Sequence, residues 1–311
     1  MHISMNRPLQ IIFILLFCYH ASLCQNAGRS HYYYNPQFSP DGSHIVFEST
    51  RNGKSSIYTI TTKGKELKRI SDTLSDYGQP AWSPDGKHLV YFGSKHPMQL
   101  FVNTIAGGEQ KMLPTSDLDA YEPTWSVKNK LAFDIREMGQ APNDIATMNI
   151  DGSGYLKLTN DSRYDCSSPE WSPDGELILF NRSAAIHKSW KDITKEEMEQ
   201  KKKTNEIIIM NSHGLETLTI VMSLNGESAP FWSKDGTAIY YLIKSGEEQK
   251  LYHVVLNEMK PESILTLTGV VYSVSISPDG KYATYAAERD KKHAIYRYDL
   301  KKNKEKKLIG E

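Results

Sequence analysis

Cysteine is nearly missing from this chain: three occur in 311 residues, and two of them, Cys18 and Cys24, fall within the first 24. Only Cys166 lies beyond that segment, so no intrachain disulfide framework can form there. A chain of this length buries a sufficient core without one. Net charge is missing too. Lys and Arg total 37 against 37 Asp and Glu, a balance that gives no overall attraction for nucleic acid or an anionic membrane. The apolar run Ile11 to Phe17 is far below the ~20 residues of a bilayer span, so no integral membrane span is expected. Catalytic signatures are also lacking. There is no G-x-S-x-G elbow and no H-E-x-x-H pair. Asp144 to Gly152 lacks the alternating oxygen ligands of a calcium loop. The histidines are scattered, and His44 and His88 occupy equivalent repeat positions. No catalytic residue, metal ligand or cofactor is therefore assigned. An active site assembled from several repeats leaves no local signature, so enzyme function stays open.

What is present begins with a leader. Met1 to Gln10 carry Arg7 and no acid, the apolar run follows, and Ser22 and Cys24 stand at −3 and −1 of a cut before Gln25. That layout predicts a cleaved signal peptide over 1–24 and a periplasmic or secreted protein. Leu23, where a lipidated Cys24 would need a small residue, argues against an acyl anchor.

Beyond the leader the chain repeats itself. Gln37-Phe38-Ser39-Pro40-Asp41-Gly42 returns at Ala81–Gly86, Glu170–Gly175, Phe231–Gly236 and Ser275–Gly280, with a degraded copy at Thr124–Asn129. The anchors Phe38, Trp82, Trp125, Trp171, Trp232 and Ile276 stand 44, 43, 46, 61 and 44 residues apart. Each unit carries a β-branched and aromatic second strand (HIVFE, HLVYF), a third (SIYTI, QLFVN) and a short fourth (KRIS, LKLT). Four short strands per ~44-residue unit predict an all-β, six-bladed β-propeller with four antiparallel strands per blade. Pro presets φ, Asp bonds its own backbone and Gly takes φ > 0, so Ser-Pro-Asp-Gly closes the hairpin between strands one and two. Its aspartates are expected to form turns rather than a metal or catalytic set. Residues 25–34 read as a lead-in and 35–311 as the propeller.

The P-x-W-S-P-D-G unit with its IVF-type, IY-type and L-T strands resembles the TolB-type propeller repeat, also found in the propellers of prolyl-oligopeptidase-like peptidases. The resemblance spans residues 35 to 311. It implies the fold and, by analogy, protein contacts in the cell envelope. TolB's additional N-terminal α/β domain has no counterpart in Gln25 to Tyr34.

Two features converge on one end of such a ring. The links entering the inner strands carry acids and tyrosines: Asp76 and Tyr77, Asp119, Tyr121 and Glu122, Asp165, Glu227, and Tyr272. Asp76, Asp119 and Asp165 each stand four residues before a Pro. They either ring the channel mouth, offering a site for a cation, a basic peptide end or a sugar, or cap their loops through side-chain to backbone bonds. The second feature is an insertion. Strands two and three of blade four are separated by 24 residues, against 6 to 9 elsewhere. This insertion, 183–205, holds Trp190 and a helix opened by Thr194 and Glu197 at capping-box spacing. Both features should share the end opposite the hairpin turns, with the insertion at the rim. The function expected is a non-catalytic, monomeric, extracytoplasmic module that binds a protein or peptide. The alternative is a secreted carbohydrate-active or other small-substrate enzyme, with Asp76, Asp119 and Asp165 as acid/base or metal-ligand groups.

Overall fold

Each Ser-Pro-Asp-Gly hairpin is closed by one small network. Ser39 Oγ donates to Asp41 Oδ1 (2.6 Å) and accepts the N–H of His44 (3.0 Å), while Asp41 Oδ1 also accepts the N–H of Ser43 (3.0 Å). Gly42, at φ 70°, donates its N–H back to the Ser39 carbonyl at 2.8 Å. The serine–aspartate bond recurs at Ser83–Asp85, Ser172–Asp174, Ser233–Asp235 and Ser277–Asp279, at 2.6 to 2.7 Å. The serine hydroxyls hold all five carboxyls below the usual range. These aspartates are spent on turns. The degraded third hairpin is one residue tighter: Ser126 donates to the carbonyl of Lys130, and Asn129, at φ 58°, takes the glycine's place.

A computed structural model describes residues 31–310, except 95–96, 116, 138–141, 189–191, 225–228 and 246–247. Blade one holds β1 (Tyr33–Phe38), β2 (His44–Ser49), β3 (Ser56–Thr61) and β4 (Lys68–Arg69). Blade two holds β5 (Tyr77–Trp82), β6 (His88–Gly93), β7 (Gln99–Thr104) and β8 (Lys111–Leu113). Blade three holds β9 (Asp119–Trp125), β10 (Lys130–Arg136), β11 (Asp144–Asn149) and β12 (Leu156–Lys157). Blade four holds β13 (Tyr164–Trp171), β14 (Leu177–Ala184), then helix α1 (Lys195–Lys202), β15 (Asn205–Asn211) and β16 (Glu216–Leu224). Blade five holds β17 (Phe231–Trp232), β18 (Ala238–Ser245), β19 (Glu248–Val255) and β20 (Pro261–Thr268). Blade six holds β21 (Val270–Ile276), β22 (Tyr282–Arg289), β23 (Lys292–Asp299) and β24 (Lys304–Gly310).

Each sheet is antiparallel and built from four consecutive strands, so no strand is shared between blades and the ring closes by side-chain packing. Tyr33 and Tyr34, read from the sequence as the end of the lead-in, belong to the innermost strand of blade one. Apolar clusters form between successive blades. Val46 and Ile57 of blade one meet Trp82 and Leu89 of blade two, and Ala132 and Ile145 of blade three meet Trp171 and Phe180 of blade four. Leu179 and Ile207 of blade four meet Trp232 and Ile239 of blade five. The ring is sealed where Phe38, Phe47 and Tyr58 pack on Ala286, Ile295 and Leu308. Above that seam His293 is buried, its ring 4.3 Å from Tyr32 and its Nε2 3.3 Å from Glu288 Oε2.

The tryptophan anchors therefore sit between blades, and two bond across them. Trp82 Nε1 donates to the Gln37 carbonyl and Trp232 Nε1 to that of Glu170, at 3.3 and 3.2 Å. Trp125 differs from the other three tryptophan anchors, which are buried. It is only half-buried, beside the tightened hairpin, with its ring 6.0 Å from His88. Among the described residues, no helix is long and apolar enough to cross a membrane.

Candidate functional site

Asp76, Asp119 and Asp165 join blades. Asp76 Oδ1 accepts the N–H of Ser55 (2.8 Å), and the next residue, Tyr77, donates its N–H to the Ser55 carbonyl (2.9 Å). Asp119 and Ala120 treat Met98 in the same way, at 2.8 and 2.9 Å. Asp165 and Cys166 do so with Asn143, at 2.8 and 3.0 Å. Each partner immediately precedes the third strand of the blade before, so one oxygen per aspartate clasps two blades. The other oxygen of Asp119 is 4.0 Å from Arg136 Nη2, both side chains being buried. The other oxygen of Asp165 takes Lys201 Nζ from the last turn of α1. That contact brings the insertion to the end of blade four where β13 begins.

The tyrosines divide. Tyr77 is buried and donates from its hydroxyl to Asp72 Oδ1 at 2.6 Å; burial pushes its phenol up to about 12. Tyr121 is buried against Phe92, and Arg136 stacks on it at 5.5 Å. Both therefore pack into blade interfaces and not the channel mouth, although they stand at successive positions of the repeat. Tyr272 is half-buried and donates to Glu288 Oε2 at 2.9 Å. Glu227 and Trp190 lie outside the described residues. Thr194 and Glu197 form the capping box, with bonds of 3.0 and 3.2 Å.

A different set of residues lines the channel. The first strands of neighbouring blades approach one another, which makes them innermost. In blades one to four each carries a bulge at a residue before proline: Asn35, Gln79, Glu122 and Ser168, with φ 48°, 51°, 47° and 55°. A left-handed, pre-proline, non-glycine residue costs on the order of 1–3 kcal/mol, and here four are repeated around one channel. Their side chains are half-buried and linked along the wall. Asn35 Nδ2 donates to Glu48 Oε1, which also accepts the N–H of Gln79, at 2.5 and 2.6 Å. Gln79 Nε2 donates to Glu122 Oε1 (2.8 Å), and Ser168 Oγ donates to Glu122 Oε2 (2.7 Å). The result is a polar arc over four blades.

Behind the arc sit carboxyls that resist ionisation. Burial pushes Glu48 up to about 7, against the pull of Asn35 and Gln79. Burial likewise raises Asp134 well above the usual range, with Glu122 and Asp165 adding repulsion. Glu170, bonded by Thr124 Oγ1 at 3.1 Å, is also pushed up by burial to about 7. Glu48 and Asp134 occupy the same position on strand two of their blades, and both face the following blade. The sequence carried a signal for them: an acid ending an otherwise apolar strand, HIVFE and KLAFD. The arc had one as well, the polar residue before each inner-strand proline.

Between blades three and four runs a groove of about 410 Å3 lined by Thr159, Asp161, Arg163, Tyr164, Cys166 and Arg182. Burial pushes the Cys166 thiol up to about 12, so it is not a nucleophile at neutral pH.

Comparison with known proteins adds the following. The family described as "TolB beta propeller domain" matches residues 25–197. An uncharacterised protein of Agrobacterium fabrum is 26% identical over 149 residues, 47% of this chain; the match spans only 39% of that relative. The crystal structure of TolB from Acinetobacter baumannii superposes with a TM-score of 0.63 at 16% identity, covering 98% of this chain and 70% of that one. An oligogalacturonate lyase from Vibrio parahaemolyticus gives 0.57 at 15% identity, covering 90% of this chain and 77% of the other. At such identities the likeness is one of fold.

Proposed function

The chain belongs to the TolB beta propeller domain family, and from that premise we propose that it is a non-catalytic, extracytoplasmic binding propeller that holds a protein segment or peptide in the mouth of its channel. The arc from Asn35 through Gln79 and Glu122 to Ser168 carries this reading. Strained backbone repeated in four blades, with half-buried polar side chains on the channel wall, is where a fold keeps a site. The one acid of the arc, Glu122, favours a ligand end bearing an amine or a basic side chain. Asp165, held by Lys201, ties the insertion to the same rim.

The test uses the chain without its leader as bait in a native envelope extract, followed by titration of the recovered ligand. Glu122→Gln keeps an acceptor for Gln79 Nε2 and presents an NH2 that the Ser168 hydroxyl can accept, but removes the charge, so affinity should fall at least ~10-fold, or ~1.4 kcal/mol. Equal affinity of the two proteins would sink the site. Replacing 185–204 with a short Gly-Ser loop should lower affinity by a similar factor while the thermal midpoint barely moves, since no residue of α1 is buried. Loss of folding in that variant would make the insertion integral to blade four.

The enzyme alternative has one observation in its favour, the carboxyls that stay protonated near neutral pH, as a general acid must. Against it, Glu48 and Asp134 are 0% and 2% exposed, out of reach of a substrate in the channel; Glu170, half-buried on the inner strand β13, is the one of the three that a substrate could meet.

A further inference from the structure

Overall charge balance hides a strong local field. Thr61 to Arg69, the third-to-fourth strand turn of blade one with β4, contains Lys63, Lys65, Lys68 and Arg69 against Glu66, a net +3. Asp299 to Lys307, the corresponding turn of blade six with β24, contains five lysines against Asp299 and Glu305, also +3. Ring closure presses the two segments together. Lys306 Nζ donates to the carbonyl of Lys63 at 2.9 Å, and Arg297 donates to that of Thr62 at 2.7 Å. Gly64, at φ 80°, lies so close that a Cβ there would come within 3.1 Å of the Leu308 carbonyl. One surface thus holds +6, and the remainder of the chain −6.

The compensation is incomplete by construction. Lys306 and Lys68 donate to neutral carbonyls, those of Lys63 and Ile105. Of the acids, Glu305 is taken by Arg289 and Tyr285, outside the patch, and Asp299 by Lys302. Both turns bond back to the hairpin end of their own blades, through Thr62 to Ser43 and Leu300 to Lys281. The patch therefore lies toward the end of the ring away from the entries of β5, β9 and β13.

We propose that this seam of blades six and one docks the protein on an anionic lipid surface, leaving the channel mouth turned outward. The cations are eight lysines and one arginine, a composition suited to charge density more than to bidentate recognition of single groups. The lysines are exposed along strand edges and turns. Leu67, 41% exposed, stands among them. Clusters of this size are attracted to anionic headgroups within a Debye length.

Co-sedimentation of the chain without its leader tests this, using phosphatidylcholine vesicles with and without 30 mol% phosphatidylglycerol (~30%, a typical anionic load) at about 0.1 M salt. Binding should require the anionic lipid and vanish near 1 M salt. Lys63→Glu, Lys65→Glu and Lys304→Glu together should lower partitioning at least ~30-fold. The triple Lys54→Glu, Lys195→Glu and Lys292→Glu makes the same change in net charge at exposed positions on the opposite end of the ring and should cost far less. The proposal is overturned by absence of binding to the anionic vesicles, by equal losses in the two triples, or by displacement with millimolar inorganic phosphate, which would indicate a discrete anion site. Tighter binding to soluble polygalacturonate than to vesicles would make the partner an acidic polymer instead. Thermal melts of both triples guard against unfolding.

Discussion

Glu48→Gln should raise the thermal midpoint by about 6 °C at pH 8 and leave it almost unchanged at pH 5. Glu48 is fully buried, with its carboxyl pushed up to about 7 from an ordinary 4.5. Below pH 4.5 the folded and unfolded chains both hold this proton, and its contribution to stability is fully present. Between 4.5 and 7 only the folded chain holds it, so stability falls as pH rises, by about 1.4 kcal/mol per pH unit and roughly 3 kcal/mol in all. Above 7 the contribution is gone and the folded state carries a buried charge. Gln is the neutral isostere: its Oε1 can still accept from Asn35 and from the Gln79 N–H, and it does not titrate. Glu170 and Asp134 are raised too, so the parent should melt progressively lower from pH 5 to 8 and the variant should lose only the Glu48 share of that slope. The hairpin aspartates act with the opposite sign, but in the range below pH 4, outside this window. Parallel pH slopes for parent and variant, or a variant less stable at pH 8, would refute the assignment.

Trp171→Ala should cost about 3–5 kcal/mol, while Trp125→Ala should cost less than half of that. The two occupy the same repeat position. Trp171 is 5% exposed and packs among Ala132, Ile145, Ile178 and Phe180, side chains of two blades that cannot collapse into the space left behind. Trp125 is half-buried beside the shortened hairpin, so its removal takes less surface from water and leaves less of a cavity. Urea titration gives both values. Equal costs would mean that the anchors act through their place in the repeat and not through burial.

The repeat was legible because its causes are local. A Pro, an Asp and a Gly close a turn whatever surrounds them, and a period of two in apolar residues makes a strand wherever it lies. Six blades of four strands, the hairpin role of Asp41, Asp85 and Asp174, and the capping box of Thr194 and Glu197 all follow from residues within a few positions of each other. The same locality explains the misplaced tyrosines. Tyr77 and Tyr121 stand beside acids in the chain, but both pack into a blade interface, and only the neighbouring blade shows that side to be closed.

The chain by itself therefore determined the number of blades, the path of each strand and the chemistry of each turn. Which groups are buried, and what faces them, was decided by the closed ring. Asp76 meets Ser55 across a blade boundary, Glu48 loses its water to Gly78 and Gln79 of the next blade, and Lys63 meets Lys306 from the opposite end of the sequence. Desolvation and electric field depend on what lies opposite in space, and in a ring the first and last blades are neighbours.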